Sequence, residues 1–419
     1  MPVLRDGVIR RGGSWSFVIR VTDAAGVSKP RWVGGFRTEA DAKAARDAAR
    51  VAARRGEYVD RNRITVEQYL AQWLEAHALE VKPKTHHDYQ SLISSYVLPR
   101  IGRMQLQSVR PTTLSSLYRT LLAEGGRNGQ PLSPRTVGYV HAVLRKAFND
   151  AVRTDQILTS NPAERAKRPK TDAVVQVHDV WDAAQLRMFL DAVSTHRLYA
   201  FFRLAAYTGA RRGELLHLRW DDVELDGAHP HIVVRGSVTM VGGRRVEGTT
   251  KSGRVRTVGI DAGTVAVLRE HAERQAKERE RACGSWVEGG HVFRMEIGSP
   301  LFPDVAGSLM RRTVEAINSG LAKPALPPMR LHDLRHVHAT LLLKAGVPVH
   351  VVAARLGHAD PAITLRVYAH VLRDQAVEVA QIFASVVDEP VDSDQCQGSV
   401  PARRNVSGTP ATPVVTDDD

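Results

Sequence analysis

Apolar side chains repeat with a helical period through most of this chain, and this periodicity constrains its fold more than any other feature. From Thr65 to about residue 163, apolar residues recur at i, i+3, i+4 and i+7, with patterns over 84–97, 111–123 and 134–153. Breakers such as Pro99 separate these patterns. The region is therefore predicted to be an all-α domain of four or five helices.

A different period precedes that region. Residues 7–36 alternate apolar and polar side chains, which predicts strands near 15–21 and 31–36. Thr38 has the side chain of a helix N-cap, and an Ala- and Arg-rich helix is expected over 39–55. These features indicate a small sheet-plus-helix module that is short for an independent core.

The second half of the chain mixes helical and strand-like patterns. Strand-like runs lie at 230–240 and 255–260. Helices are expected at 182–195, 197–207, 261–281, 307–320, 333–345, 348–356 and 371–386. With 419 residues, the chain is predicted to be a mainly α protein of several domains, the last of them mixed α/β but mostly helical.

The charge of the chain indicates its partner. The formal net charge is +13 and the isoelectric point is about 10.0, which favours a polyanion, with nucleic acid ahead of an anionic membrane. No run approaches the roughly 18 apolar residues of a membrane span. Cys283 and Cys396 suggest neither a disulfide framework nor a zinc site. A DNA- or RNA-binding protein in a reducing, cytoplasmic setting is expected, with no membrane partner.

Three short segments of the second half carry unusual chemistry. In the first, Arg211 and Arg212 lie between Gly209 and Gly213 at the predicted start of a helix, and Glu214 follows. Arginine beside a helix N-terminus is a favourable phosphate site. A solvated basic helix start is the alternative interpretation.

The second segment is His332-Asp-Leu-Arg335-His336. The three basic side chains are three and four residues apart, so a helix would place them on one face. A helical surface with incidental histidines is the alternative. Zinc chelation by His332 and His336 is a further one, but the segment lacks the Glu of a zincin motif and Arg335 would repel a cation.

The third segment is Leu356-Gly357-His358. Gly357 is predicted to end the 348–356 helix, which would hold His358 at a turn. Tyr368 follows ten residues later, and the other eight tyrosines all lie at or before position 207. A ring packed in the core is the alternative for a tyrosine of this kind.

Together these segments bring arginine, histidine and tyrosine to one domain of a basic protein. That set suits phosphoryl transfer without a metal. Arginine forks neutralise phosphate oxygens, histidines donate or carry protons, and tyrosine forms a covalent intermediate. Acidic pairs that would hold Mg²⁺ are not evident near these segments, and no cofactor is expected.

The residues closely resemble the signature of the tyrosine recombinase, or phage integrase, family, which reads Arg…Lys…His-x-x-Arg…His/Trp…Tyr. The matching residues are Arg211 in Thr-Gly-x-Arg, His332 and Arg335 in His-x-x-Arg, His358 in Leu-Gly-His, and Tyr368 in Tyr-Ala-His. Order, spacing and flanking residues agree over about 180–386. The lysine of the family sits in a β-hairpin turn before a strand, and Lys251 fits this position. A flexible basic loop that touches the DNA backbone is the alternative for Lys251.

The resemblance implies a role for each residue. Tyr368 would attack the scissile phosphate, stay joined to the 3′ phosphate and free a 5′ hydroxyl, without ATP or metal. The other side chains would serve that reaction as phosphate donors (Arg211, Arg335, His358), as proton carriers (Lys251 as general acid, His332) and as supports (Glu214, His336).

The resemblance also implies a domain organisation and partners. The domains would be an arm-type DNA-binding module at 1–60, a helical core-binding (SAM-like) domain at 64–164, a linker at 165–179, the catalytic domain at 180–387 and a disordered tail at 388–419. The partners would be double-stranded DNA attachment sites of core and arm type, further copies of the chain in a tetramer, and an accessory directionality factor. A helix over 371–386 would dock on a neighbouring protomer.

The function implied is a site-specific recombinase that integrates or excises a phage or mobile element in a bacterial cell. A non-catalytic DNA-binding regulator on the same scaffold is one alternative, and the intact signature argues against it. A metal-dependent hydrolase that uses the histidines is another, and metal content would separate it.

Overall fold

A computed structural model describes residues 7–22, 28–55, 58–169, 180–251, 253–358, 360, 362 and 364–365. Tyr368, the predicted helix at 371–386 and the tail after 388 lie outside the described residues. Most of the predicted linker, at 170–179, also lies outside them.

The N-terminal module is a three-stranded antiparallel sheet with one helix against it. Its elements are β1 (Val8–Arg11), β2 (Ser14–Thr22), β3 (Ser28–Phe36) and α1 (Glu39–Arg54), with strand order β1-β2-β3. Thr38 caps α1 as predicted, since its side chain accepts a 3.1 Å hydrogen bond from the Asp41 amide. Phe17 and Ile19 on β2 pack against Ala42 of the helix.

The opposite face of this sheet is open to solvent. Side chains alternate along a strand, so Val18 and Arg20 point away from the face that Phe17 and Ile19 bury. Trp32, the register partner of Val18, is 51% exposed. The guanidinium of Arg11 lies 4.4 Å from the centroid of the Trp32 ring. The module therefore presents an exposed basic and aromatic surface.

The all-α region has its own core, as the periodicity predicts. Its helices are α2 (Val66–His77), α3 (Pro83–Leu92), α4 (Leu98–Ile101), α5 (Pro111–Glu124) and α6 (Pro134–Arg153). The ends of two helices are fixed by side-chain caps, a capping box at Thr65 and a serine cap at Ser133. The buried faces of α2, α5 and α6 meet around residues such as Leu70, Leu114 and Leu144.

The helical pattern predicted over 84–97 continues through Pro99 and ends at Ile101, beside Gly102, before α5 begins at Pro111. A π-turn at Ile93–Val97 links α3 to α4, and Pro99 lies at the start of α4 inside this continuous run. The amide of Leu98 bonds to the carbonyl of Ile93, five residues back. The wider turn relieves the usual conflict between a proline ring and the preceding helical carbonyls, so the chain stays helical.

The third region combines seven helices with two small sheets among the described residues. The helices are α7 (Ala183–Ala192), α8 (Tyr199–Thr208), α9 (Arg212–His217), α10 (Ala262–Ala282), α11 (Pro303–Asn318), α12 (Asp333–Lys344) and α13 (Val349–Leu356). One sheet has the order β4-β5-β8, formed by Val223–Glu224, His231–Val234 and Arg256–Gly259, and the other is a hairpin of β6 (Gly236–Val241) and β7 (Arg244–Thr249). Phe201, Phe202 and Phe293 lie in the centre of the core.

The predicted strand at 230–240 is two strands in different sheets. The chain turns at Arg235, whose Nε donates a 2.6 Å hydrogen bond to Asp222. Gly236 then passes so close to the His217 ring that a Cβ there would overlap it. The alternation of apolar and polar residues alone cannot show this turn, because apolar residues continue through it.

Among the described helices, none is long and apolar enough to cross a membrane.

Candidate active site

Two helices of the third region end at glycines, and their C-terminal ends lie close together. Helix α8 ends before Gly209 and α13 ends before Gly357, and both glycines have left-handed backbone with φ of 63° and 68°. A Cβ at Gly209 would lie 2.7 Å from Cδ2 of Leu356, and a Cβ at Gly357 would lie 2.9 Å from Cδ of Arg256. Glycine is required at both positions, by conformation and by close approach.

Arg335 joins these two helix ends. It lies on the first turn of α12 and is only 4% exposed. Its Nη1 donates a 2.8 Å hydrogen bond to the Gly209 carbonyl, and its Nη2 donates a 2.7 Å hydrogen bond to the Leu356 carbonyl. Carbonyls at helix C-termini carry partial negative charge, so they stabilise the buried guanidinium. Arg335 is therefore held rigidly by the backbone.

Arg211 is oriented by a buried carboxylate. The Glu214 side chain is 1% exposed and accepts 2.9 Å hydrogen bonds from both Nη1 and the backbone amide of Arg211. Arg256 of β8 donates two more, of 3.1 and 2.6 Å. Burial acts to raise the pKa of Glu214, but the hydrogen bonds and charges of Arg256 and Arg211 outweigh it and lower the pKa. Glu214 is therefore an anion that fixes two arginines.

His332 and His336 lie one helical turn apart at the start of α12. Their rings meet edge to face with centroids 5.7 Å apart. Partial burial, followed by the neighbouring charges of His336 and Arg335, lowers the pKa of His332 to about 4. Burial and Arg335 also lower the pKa of His336. Both rings are therefore neutral near pH 7, and each can donate one proton and accept another.

His358 follows the glycine that ends α13. Its Nδ1 is 2.7 Å from the Oγ1 of Thr364, a fully buried side chain. Burial lowers the pKa of His358 to about 4, and the charges of Arg335 and Arg211 add to this effect. Thr364 lies four residues before Tyr368 in the sequence. The last described residues are thus anchored beside His358.

Lys251 lies apart from this buried network. It is exposed, in the connection from β7 to β8. The expected β-hairpin turn is not what the structure has there, because β7 pairs with β6 whereas β8 pairs with β5. The connection therefore runs from one sheet to another. Its ammonium group has no hydrogen-bond or ion-pair partner within the described part of the chain.

A basic cleft adjoins the histidines. A cavity of about 1030 Å³ is lined by His332 and His336 and by Arg135 of α6, which belongs to the all-α region. Three more arginines line it, namely Arg212, Arg311 and Arg330. Asp304 is the one acidic side chain on the described lining, and it lies 3.5 Å from Arg212. The cleft is therefore suited to a polyanion that contacts both regions.

Three side chains that build this site were not predicted from the sequence, namely Arg256, His338 and Arg355. Arg256 shares Glu214 with Arg211, and its Nε donates to the Arg355 carbonyl over 3.2 Å. His338 accepts a 3.2 Å hydrogen bond from Nε of Arg355, and its Nδ1 lies 2.8 Å from the Ala206 carbonyl. Burial lowers the pKa of His338 to about 4. His338 is two residues from His336, but it lies on the buried side of α12, which spacing alone does not reveal.

Most residues of the predicted set therefore share one electrostatic environment. Arg211 and Arg335 act on the pKa of both His332 and His358, and Glu214 holds Arg211 in place. Lys251 is exposed, and Tyr368 lies outside the described residues. No three His, Cys, Asp or Glu side chains in the described ranges are grouped so that they could hold a metal ion.

Fixed arginines, neutral histidines and a basic cleft on a mainly α multidomain fold are typical of an enzyme that transfers phosphoryl groups on nucleic acid. Comparison with known proteins agrees with this class. Residues 179–375 match the profile of the phage integrase family, and residues 65–122 match that of the phage integrase N-terminal SAM-like domain. An integrase of Streptomyces ambofaciens is 30% identical over 338 residues, which cover 77% of this chain and 80% of that protein.

Solved structures share the fold. The Tn1549 transposon integrase, in complex with a circular intermediate DNA, has a TM-score of 0.64 and 21% identity, covering 77% of this chain and all of that one. A lambda integrase tetramer bound to a Holliday junction has a TM-score of 0.51 and 18% identity, covering 85% of this chain and 94% of that one. The chain belongs to the phage integrase family, and it is a tyrosine-type site-specific recombinase of a phage or mobile element.

Proposed function

We propose that Tyr368 is the nucleophile of this recombinase. Its hydroxyl oxygen attacks the scissile phosphorus, the bond from phosphorus to the 5′ oxygen breaks, and the protein stays joined to the 3′ phosphate. His332 takes the tyrosine proton, and Lys251 gives a proton to the leaving 5′ oxygen. The reverse attack by a 5′ hydroxyl rejoins the strand, so no ATP is consumed.

We propose that Arg211, Arg335 and His358 bind the non-bridging oxygens of that phosphate. The observation that carries the proposal is the buried bridge from Arg335 to the Gly209 and Leu356 carbonyls. A cation fixed in this way needs no reorganisation when charge develops in the transition state. If Thr364 donates to Nδ1 of His358, the other ring nitrogen carries the proton and can donate to the phosphate.

Covalent capture tests the proposal. A duplex is selected from a random-sequence pool for binding by the full-length protein, and it carries a nick a few nucleotides on the 3′ side of the cleaved phosphate. Cleavage then releases the short fragment that carries the 5′ hydroxyl, and its loss prevents religation. In the presence of a chelator, we expect an adduct that survives denaturation. We expect the adduct to retain a label on the strand that ends in the 3′ phosphate.

Two results would contradict the proposal. No adduct on a duplex that the protein binds would favour the non-catalytic regulator. An adduct that retains the label of the strand with the 5′ end would reverse the assigned polarity of attack.

We infer that double-stranded DNA of the core site runs through the basic cleft. Arg135 comes from the all-α region and His332 from the third region, so a duplex there would contact both. This arrangement supports the proposed division into a core-binding domain at 64–164, a linker at 165–179 and a catalytic domain at 180–387. The titles of the similar structures name DNA complexes of those proteins.

We propose that the N-terminal module, residues 1–60, binds a second, arm-type DNA site through its open sheet face. Arg20 and Trp32 lie on that face, whereas Arg54 lies on α1, which covers the other face. Arg20→Ala should weaken binding to arm DNA and leave cleavage of a core duplex unchanged. Arg54→Ala removes the same charge from the helix and serves as the control. Equal effects of the two changes would contradict the proposal.

We propose that active complexes are tetramers joined by the segment 371–386. Its apolar residues have helical spacing, and α7, α8, α12 and α13 border a cavity of about 700 Å³ whose lining is mostly apolar. The segment of a neighbouring copy is the occupant that we assign to this groove. Val351, which is 45% exposed there, allows a test. Val351→Glu should lower the fraction of DNA that carries four protomers, whereas binding of a single protomer should persist. Mass photometry measures both species, and an unchanged fraction of tetramers would contradict the assignment.

The setting that we propose is the cytoplasm of a bacterial host, at its nucleoid. The reaction there would integrate or excise the element, and an accessory directionality factor would bias it through the arm-binding module.

A further inference from the structure

A lysine of the all-α region reaches the loop that carries Lys251. Lys82 is the residue before α3, and its Nζ donates a 3.0 Å hydrogen bond to Oγ1 of Thr249 and a 2.9 Å hydrogen bond to the carbonyl of Thr250. These partners are 167 and 168 residues away in the sequence. The contact therefore joins two regions of the molecule at the residues directly before Lys251.

The residue that Lys82 holds is itself the anchor of the turn. Thr250 is fully buried, and its hydroxyl donates a 3.0 Å hydrogen bond to the carbonyl of Arg254. The carbonyl of Thr250 also accepts a 3.1 Å hydrogen bond from the amide of Gly253, whose φ is +70°. Lys82 adds a charged donor to that same carbonyl. The backbone from which Lys251 projects is thus fixed on one side by the other region.

The same helix also approaches the adjoining hairpin. Gly242 lies in the turn between β6 and β7, and a Cβ there would be 3.9 Å from Cε1 of His87 on α3. The hairpin that leads to Lys251 therefore lies along α3 at both its turn and its end. This second approach indicates that the Lys82 bonds belong to an interface between two packed surfaces.

We propose that Lys82 is a positioning residue that makes the placement of Lys251 depend on docking of the all-α region. The inference rests on the proposed function, in which Lys251 protonates the leaving 5′ oxygen. A protomer whose two regions are closed on each other holds its general acid in place. A protomer in which they are apart keeps Arg211, Arg335 and the nucleophile but loses this constraint.

A change of the leaving atom distinguishes a residue that positions the general acid from one that acts in DNA binding, folding or nucleophilic attack. When the bridging 5′ oxygen is replaced by sulfur, the leaving group is a thiolate. A thiol is a far stronger acid than an alcohol, and the cysteine thiol, for example, has a pKa of about 8.5. The thiolate departs without needing a proton from Lys251. A defect in placing the general acid therefore slows cleavage of the oxygen substrate and spares the sulfur substrate. A defect in DNA binding, folding or attack slows both.

The experiment measures single-turnover cleavage of the two substrates by the full chain, with protein in saturating excess. We expect Lys82→Met to cleave the oxygen substrate about tenfold more slowly, in line with one lost charge-assisted hydrogen-bond donor. We expect its rate on the sulfur substrate to stay within about twofold of wild type. Lys82→Arg, which keeps the charge and the donors, should recover most of the rate.

Lys84→Met is the matched control. Lys84 lies two residues after Lys82, in the first turn of α3, and pairs with Asp88 over 2.5 Å. The substitution therefore removes the same charge without touching the turn. We expect it to leave the ratio of the two rates unchanged. Equal slowing of both substrates by Lys82→Met, or no slowing of either, would overturn the positioning role.

A parallel variant separates this inference from the proposed function. Lys251→Ala should show a large defect on the oxygen substrate and little on the sulfur substrate. If Lys251→Ala shows no such difference, the general acid has been wrongly assigned and both proposals fail. If Lys251→Ala behaves as expected and Lys82→Met does not, only the role of Lys82 is lost.

Discussion

The two sides of the candidate active site are built in different ways. On the first side, Arg335 is buried and bound to two helix-end carbonyls, and Glu214 fixes Arg211 from beneath. On the second side, Lys251 lies on an exposed turn between two sheets. The first side depends on the core of one region, whereas the turn before Lys251 is also held by Lys82 of another.

The difference corresponds to what each side is proposed to do. Groups that stabilise developing charge act best when they are fixed before the reaction begins. A proton donor must approach the leaving oxygen of a DNA strand that arrives from outside. We infer that the catalytic strength of the site comes from its buried side and that control comes from its exposed side.

The largest effect should come from the buried side. Arg335→Lys keeps a positive charge but loses the planar fork that spans two carbonyls. We expect cleavage of the nicked duplex to fall about 10²–10³-fold, as for loss of one fixed donor at a developing charge. The measurement is the single-turnover rate at a temperature where the variant remains folded.

Arg294→Lys gives the matched control for that change. Arg294 is 5% exposed and also donates to backbone carbonyls, those of His291, Val287 and Gly298. Its replacement should lower the melting temperature to a similar degree and leave the cleavage rate near that of wild type. A comparable loss of rate in both variants would mean that Arg335 acts through stability alone.

A smaller effect is expected on the exposed side. Lys251→Ala should slow cleavage of the oxygen substrate about 10²-fold, the lower end of the range for a general acid, because water reaches the exposed turn. Its melting temperature should equal that of wild type, since the side chain has no partner in the described part of the chain. A clear loss of thermal stability would contradict the contrast between the two sides.

A substitution at Glu214 tests whether the arginines of the buried side depend on this shared carboxylate. Glu214→Gln removes the charge that two arginines share. We expect a loss of about 3 kcal/mol in the free energy of unfolding, near the lower end for a broken buried pair because the Arg211 side chain is 23% exposed. Chemical denaturation measures this loss.

A second ion pair provides the comparison for Glu214→Gln. Glu278 binds Arg197 through hydrogen bonds of 3.1 and 2.7 Å, away from the predicted site residues. Glu278→Gln should also reduce stability, but only Glu214→Gln should slow cleavage as well. Equal cleavage rates in the two variants would argue that Arg211 needs no orientation by Glu214.

The smallest effect should appear in the dependence of stability on pH. The pKa of His338 is about 4 in the folded protein, against 6.5 for an unperturbed histidine. The unfolded chain therefore binds the proton first as the pH falls. The contribution of His338 to stability is complete well above pH 6.5 and is lost as the pH falls, by between about 2 and 3 kcal/mol at pH 4.5 and by about 3 kcal/mol at pH 4.

The variant His338→Asn isolates that contribution. Its amide can still donate to the Ala206 carbonyl, but it does not titrate. Unfolding free energies at pH 7 and pH 4.5 should differ less in this variant than in wild type. An unchanged difference would assign the pH dependence to other groups.

The sequence predicted the fold class and most helices because their apolar periods and caps are local signals. Thr38 and Gly357 mark helix ends that the structure has at the expected places. Local signals did not reveal the π-turn before Pro99 or the division of 230–240 into two strands. Both features depend on contacts between residues far apart in the sequence or on backbone geometry, and the spacing of apolar residues does not indicate either.

The candidate site was predictable in its residue types and not in its construction. The sequence proposes the motif residues by their order and spacing, and their catalytic roles stay predictions. The roles of Arg256 and His338 depend on partners far along the chain, Glu214 and Ala206. The connection at Lys251 differs from the expected hairpin because strand pairing is decided by the whole sheet.

The most direct measurement of the central claim is covalent capture by three proteins on the same nicked duplex. We compare wild type, Tyr368→Phe and Tyr207→Phe, the last as a control because Tyr207 is a partly exposed tyrosine of the same region. We predict that wild type and Tyr207→Phe form a denaturation-resistant adduct with a chelator present and that Tyr368→Phe forms none. An adduct that persists in Tyr368→Phe would contradict the assignment of the nucleophile.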